Sequence, residues 1–97
     1  MSKDKKQGVV KPHGTIQSVN RALTILESFT IQRPEIGVSD LARSLDLNKS
    51  TVFGLITTLE KCGYLEKNKQ NDKYHLGIRV IELGESRLTG IGFQKTT

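Results

Sequence analysis

The sequence predicts a mainly α fold with a small β-hairpin, organised as a winged helix-turn-helix. Three observations carry the prediction. Between Val38 and Leu76 a short amphipathic segment, VSDLARSLD, passes through the turn residues LN into a longer apolar-periodic segment, KSTVFGLITTLEKCG. Gly63 closes that segment in the position where a helix commonly ends. Two strand-like runs, YLEK and KYHL, then flank five polar residues. Helix, tight turn, helix and hairpin in that order form the plan that sets a second helix into the major groove of DNA.

Ninety-seven residues allow one domain. Residues 1–15 read as a disordered basic arm, with Lys3, Lys5, Lys6 and Lys11 against Asp4 alone, together with Pro12 and Gly14. The formal charge is +5, from fifteen Lys/Arg and ten Asp/Glu. Residues 1–17 hold four bases and one acid, and residues 48–80 hold six bases and three acids, so each segment carries +3. Positive charge concentrated in the arm and in the helix-plus-hairpin segment points to a polyanionic partner. The alternative is ordinary solubility charge. The single cysteine, Cys62, excludes an intramolecular disulfide and is expected to act as a small buried hydrophobe. No apolar run approaches the length of a membrane span, and none at the N-terminus resembles a signal peptide, so the cytoplasm is expected and no membrane partner.

A first helix is expected from Gln17 to Phe29, capped by Ser18, with Val19, Ala22, Leu23, Leu26 and Phe29 on one face. Residues 31–37 read as a loop broken by Pro34 and Gly37. Ser39 is the expected cap of a short second helix, Asp40 favours its positive N-terminal end, and Leu41, Ala42 and Leu45 face inward. At the turn, Asp46 is expected at positive φ and Leu47 beneath it.

The third helix is the centre of the functional reading. Asn48 is its expected cap, accepting from the amide of Ser50 or Thr51. Val52, Leu55, Ile56 and Leu59 follow the i, i+3, i+4, i+7 pattern of a buried face. The opposite face centres on Ser50, Gly54, Thr57 and Lys61, with Phe53 at its flank and no acid upon it. Such a face suits contact with phosphates and base edges. Gly54 inside a helix costs about 1 kcal/mol relative to alanine. Close approach of the backbone to a surface would offset that cost. A merely tolerant site is the alternative.

The strands 64–67 and 73–76 are expected to pair, with Leu65, Tyr74 and Leu76 inward and Lys67, Lys69 and Lys73 clustered on the hairpin. Three such lysines suit a phosphate backbone or the minor groove, or simply a solvated tip. Gly77 opens a last helix from Ile78 to about Leu88. Ile78, Ile81 and Leu88 lie on one side of it and Val80 and Leu83 on another, which suggests this domain as one packing partner and another subunit or domain as the second. The following Gly90-Ile91-Gly92-Phe93 leaves large apolar groups without a visible partner, as though the chain were cut short.

Several of these residues together resemble the DNA-binding domain of IclR-type bacterial transcription regulators. They are Ser18-Val19-x-Arg21-Ala22-Leu23-x-Ile25-Leu26, Leu41-Ala42, Leu47-Asn48-Lys49-Ser50-Thr51-Val52, Thr58-Leu59, Gly63-Tyr64-Leu65, Tyr74-x-Leu76-Gly77 and Leu83-Gly84. Any one fragment is weak, but their order and spacing from Ile16 to Gly84 are specific. The resemblance implies a winged helix-turn-helix over residues 16–77, with a recognition helix at 49–62 and a wing at 64–76. It implies binding as a homodimer to a partly palindromic double-stranded operator. It also implies that residues 78–97 lead to an absent domain of about 150 residues that binds a small-molecule effector. Two departures matter: the family often has arginine where Gly54 stands and glycine where Asp46 stands.

The expected contacts are Lys49, Ser50 and Thr51 at the start of the helix, and Thr57 and Lys61 further along, with Phe53 and Gly54 between them. Lys67, Lys69 and Lys73 would act from the wing, and Arg43 on a flanking phosphate. A winged helix used for protein–protein contact is the alternative. An enzyme is not expected: His13 and His75 are far apart, Cys62 has no evident base, and no phosphate loop or metal-ligand spacing appears. No cofactor is implied.

Overall fold

The computed structural model describes residues 15–90. Its elements run α1 (Gln17–Glu27), α2 (Val38–Leu45), α3 (Lys49–Lys61), β1 (Leu65–Asn68), β2 (Lys73–Leu76) and α4 (Ile78–Gly90). The expected basic arm up to Gly14 and the apolar tail beyond Gly90 lie outside the described residues.

The winged helix-turn-helix is present as expected. α3 packs against α1, α2 and β1. Ile25 and Phe29, Leu41 and Ala42, Val52 and Ile56, with Leu65 and Tyr74 from the hairpin, form one apolar core. Leu26, Val38, Leu45, Leu47, Leu55 and Leu59 pack around it.

α1 ends at Glu27, two residues short of the expected Phe29, although Phe29 still enters the core. The expected face is also rotated. Ile25 is fully buried, whereas Val19 and Leu23 are about half exposed. Both rows are apolar, so periodicity alone cannot rank them; contact with α3 does. Ser18 does not cap the helix, since Ile16 holds the N-cap position without a side-chain bond. Ser39 likewise caps nothing. α2 starts at Val38, which packs on the core, and Gly37 takes the cap position with extended backbone.

α2 and α3 close in the same way. Asp46 takes φ 58°, its amide reaches the Arg43 carbonyl, and the Leu47 amide reaches back to the Ala42 carbonyl at 3.0 Å. Gly63 takes φ 88°, its amide reaches the Glu60 carbonyl, and the Tyr64 amide reaches the Leu59 carbonyl at 2.9 Å. In each case a left-handed residue lets the chain reverse and satisfy carbonyls that the helix leaves open. Leu47, half-buried against the core, supplies the apolar contact that accompanies such an end. Cys62 stands at the C-cap of α3 and is exposed, not buried as expected, because the chain is already leaving the helix there.

β1 and β2 pair antiparallel, with Leu65 opposite Leu76 and Lys67 opposite Tyr74. A third segment, read from sequence as plain loop, joins them. Ile36 is buried and exchanges two backbone hydrogen bonds with Tyr74, at 3.0 and 2.9 Å. One residue of pairing leaves no alternating pattern to detect. Leu76, expected inward, is 37% exposed, since it occupies the last rung before the chain turns into α4.

That turn depends on glycine. A Cβ on Gly77 would lie 2.3 Å from the Gly63 carbonyl oxygen, so the two backbones touch only because no side chain intervenes. The Gly77 amide donates to the Tyr64 carbonyl, and the Arg79 amide to that of Gly63. Beyond this first turn α4 is barely covered. Val80 is half-buried, but Ile78, Ile81, Leu83 and Leu88 are all exposed, so the domain does not cover one face of the helix as expected.

Candidate nucleic-acid interface

α3 owes its placement to two rows. Val52 and Ile56 are fully buried, and the half-buried Leu55 and Leu59 pack against the same core beside them. This fixes which side of the helix is left to solvent. Asn48 caps α3 as expected: its side-chain oxygen accepts from the Thr51 amide at 2.9 Å and from the Ser50 hydroxyl at 3.0 Å. The first turn carries no acid, so the positive end of the helix dipole is uncompensated by a carboxylate and open to an anion.

The exposed surface of α3 comprises Lys49, Ser50, Phe53, Gly54, Thr58, Glu60 and Lys61, with Thr51 and Thr57 half-buried at its margins. Thr57 therefore sits at the edge and not at the centre of the expected face. Thr58, which sequence reasoning left out, is exposed instead, and its hydroxyl donates to the Gly54 carbonyl at 3.0 Å. A threonine four residues after a glycine is the signal that could have found it. Gly54 is open: a Cβ added there would meet nothing within 4 Å. Space within the domain does not require glycine at this position.

Lys49, Lys61, Lys69 and Lys73 form no ion pair among the described residues. Arg43 is already engaged, its guanidinium 2.6 Å from the Asp40 carboxylate on a well-exposed surface. Such a pair is weak and salt-screened, so Arg43 can exchange partners at little cost.

The hairpin does not gather its three lysines. Residues directly opposite in the ladder share a face, so Lys67 lies with Leu65, Tyr74 and Leu76, and Lys73 with Asn68, Glu66 and His75. Lys67 is tied to Asp72 at 3.6 Å, and Lys69 stands in the loop. That loop is shaped by its own amides and side chains. Asn68 accepts from the Gln70 amide, Asn71 from the Lys73 amide, and Asp72 adopts φ 61°.

Glu35 is a further part of the wing that the sequence did not reveal. Its two carboxylate oxygens accept from the side-chain amides of Asn68 at 2.9 Å and Asn71 at 3.0 Å. These two bonds, the Asn68 bond first, hold the carboxyl below its ordinary pKa, with smaller help from the charges of His75 and Lys73. The loop before α2 is thereby latched to the tip of the wing. No local pattern in the sequence links residues more than thirty positions apart.

Residues 18–69 match the IclR helix-turn-helix domain. The chain is 44% identical over 69 residues to the HTH-type transcriptional regulator XynR of Escherichia coli, covering 71% of this chain and 27% of that protein. It is 36% identical over 73 residues to the glycerol operon regulatory protein of Streptomyces coelicolor, covering 75% of this chain and 29% of the relative. Among solved structures, an IclR transcriptional regulator from Silicibacter superposes with a TM-score of 0.71 at 39% identity, over 74% of this chain and 28% of that one. An IclR family regulator from Brucella abortus gives 0.73 at 29% identity, over 82% and 30%. The chain thus spans less than a third of the length of these relatives. No helix among the described residues is long and apolar enough to cross a membrane. The chain belongs to the IclR helix-turn-helix family and carries the DNA-binding domain of a transcription regulator.

Proposed function

We propose that this domain binds a double-stranded operator sequence-specifically, with α3 in the major groove and the wing along the flanking backbone or minor groove. The observation that carries the reading is the exposed side of α3, largely polar, with Lys49 at its start, Lys61 beside Glu60 at its end and no acid in its first turn. On this reading Lys49, Ser50 and Thr51 meet phosphates and base edges, and Thr57 and Lys61 act further along the groove. Gly54 lets the helix backbone approach closely. Lys69 and Lys73 are the wing's main backbone contacts, Lys67 joins them after exchanging Asp72 for phosphate, and Arg43 does the same with Asp40.

The regulator works as a homodimer on this proposal. Support comes from the apolar groups that the domain leaves uncovered on α1 and α4, namely Val19, Leu23, Ile78, Ile81 and Leu83. A small-molecule effector acts through a domain that this chain does not include, with residues 78–97 as the link; the short share of the relatives' length spanned here supports that inference. The cytoplasm is the matching compartment, and neither catalysis nor a cofactor has a part in the reading. Phe53 alone favours a protein-binding use of the same face, and one isolated aromatic among polar residues does not make a docking patch.

A salt titration of operator binding tests the proposal. The slope of log K against log salt should shrink by about one for each phosphate-binding lysine removed, with Lys49→Ala and Lys73→Ala as first variants. A flat salt response overturns it.

A further inference from the structure

Within the helix-turn-helix from Val38 to Lys61, Phe53 is the one large apolar side chain left exposed, at 52%. It takes no part in the core and is not among the residues packed around it. Nothing in the fold of the domain asks for an aromatic ring there. We propose that Phe53 is a specificity-determining residue that recognises the C5-methyl group of a thymine in each operator half-site. The inference rests on the DNA-binding reading above and sharpens it.

Position is the first argument. Phe53 is the fifth residue of α3, about 6 Å along the axis from Lys49, in the half of a recognition helix that meets base edges. Glu60 stands two turns further on, about 10 Å away, where the helix has passed beyond the bases read by its first half. The second argument is the neighbouring Gly54. An added Cβ there meets nothing within 4 Å, so beside Phe53 the helix presents bare backbone and the ring projects beyond it. Close approach of that backbone brings the ring to the floor of the groove.

Chemistry supplies the third argument. A phenyl ring has no donor or acceptor, so it cannot read the N7, O6, N6, N4 or O4 edges. The major groove offers one apolar group to such a side chain, the pyrimidine C5-methyl, and that group distinguishes thymine. Gly54 has no side chain, so a hydrogen-bonding side-chain contact to a base from that position is missing. An apolar contact next to it supplies discrimination of a different kind.

The test uses the 97-residue chain and DNA fragments selected from a random pool. Each thymine of the enriched half-site is replaced in turn by deoxyuridine, which removes only the methyl group. At one position per half-site the wild type should lose about four-fold in affinity, the worth of one buried methyl. Phe53→Ala should bind both versions equally while melting at the wild-type temperature, since the ring is outside the core. At that position a cytosine should gain affinity for the wild type on C5-methylation and gain none for Phe53→Ala, which shows that the methyl and not the remaining base edge is read. Specific binding that is indifferent to every methyl, or an equal methyl effect in Phe53→Ala, overturns the role of Phe53 and leaves the DNA-binding reading intact. Failure to enrich any DNA overturns both.

Discussion

α3 and α4 are each thirteen residues long, each begins without an acid in its first turn and each has a base in its last turn, Lys61 or Arg87. They differ in where their apolar residues go. α3 puts Val52 and Ile56 wholly into the core and shows solvent an almost entirely polar surface. α4 is held by backbone contacts at its first turn and by the Arg79 stem, which covers Gly63, while the 2.7 Å bond from the Arg79 guanidinium to Glu82 lies within α4 itself. Apart from the half-buried Val80, its large apolar groups stay exposed. A helix that is satisfied by its own domain can offer a polar face to DNA, whereas one that is not has an apolar face available for another protein surface. Helix length and end charges carry no part of this distinction.

The largest test breaks the α3 side. Ile56→Ala should cost about 3 kcal/mol through lost burial and a residual cavity, close to the whole stability of a small domain, and thermal melting will show it. Ile81→Ala on α4 should leave the melting temperature of the monomer nearly unchanged and weaken the proposed dimer in sedimentation experiments. If Ile81→Ala destabilises the monomer as much as Ile56→Ala, the contrast between the two helices is wrong. Gly77→Ala attacks the junction between them. A Cβ placed 2.3 Å from backbone oxygen cannot be accommodated without moving the hairpin or α4, and a loss of about 2 kcal/mol is expected.

A smaller effect of opposite sign is expected on the exposed side of α3. Gly54→Ala should stabilise the free domain by about 0.5–1 kcal/mol, since the added methyl meets nothing and glycine is a poor helix former. It should also weaken specific operator binding. Stabilisation with unchanged affinity would remove the close-approach account of this glycine.

The smallest effect concerns the wing. The Asn68 and Asn71 bonds lower the pKa of Glu35, so the latch contributes fully above the ordinary glutamate value and is lost as pH falls through the lowered one. Amide exchange in residues 68–73 should therefore be slower in the wild type than in Glu35→Gln at neutral pH, and the difference should close in acid. A pH-independent difference would mean that the carboxylate charge is not what holds the wing.

Much of the architecture was legible because it depends on local chemistry. Asn48 as a cap, Asp46 at positive φ, Gly63 at a helix end and the Val52–Ile56 stripe each follow from what one residue type does best in one conformation. The errors fall where two local solutions were equally good. Ser18 and Ser39 were plausible caps, but both helices start earlier, with Ile16 and Gly37 at the cap positions. Cys62 and Leu76 are apolar and sit at element ends, where the chain direction and not the side chain determines exposure.

The sequence by itself determined the order of the elements, the polar side of α3 and the family, because periodicity, turn chemistry and motif spacing are all properties of neighbouring residues. Tertiary structure decided the rest. It chose Ile25 over Leu23, brought Ile36 to Tyr74 and Glu35 to the wing tip, separated Lys67 from Lys73 and left α4 uncovered. Each of those outcomes depends on contacts between segments distant along the chain, and a local pattern contains no information about which of several apolar or polar groups will meet.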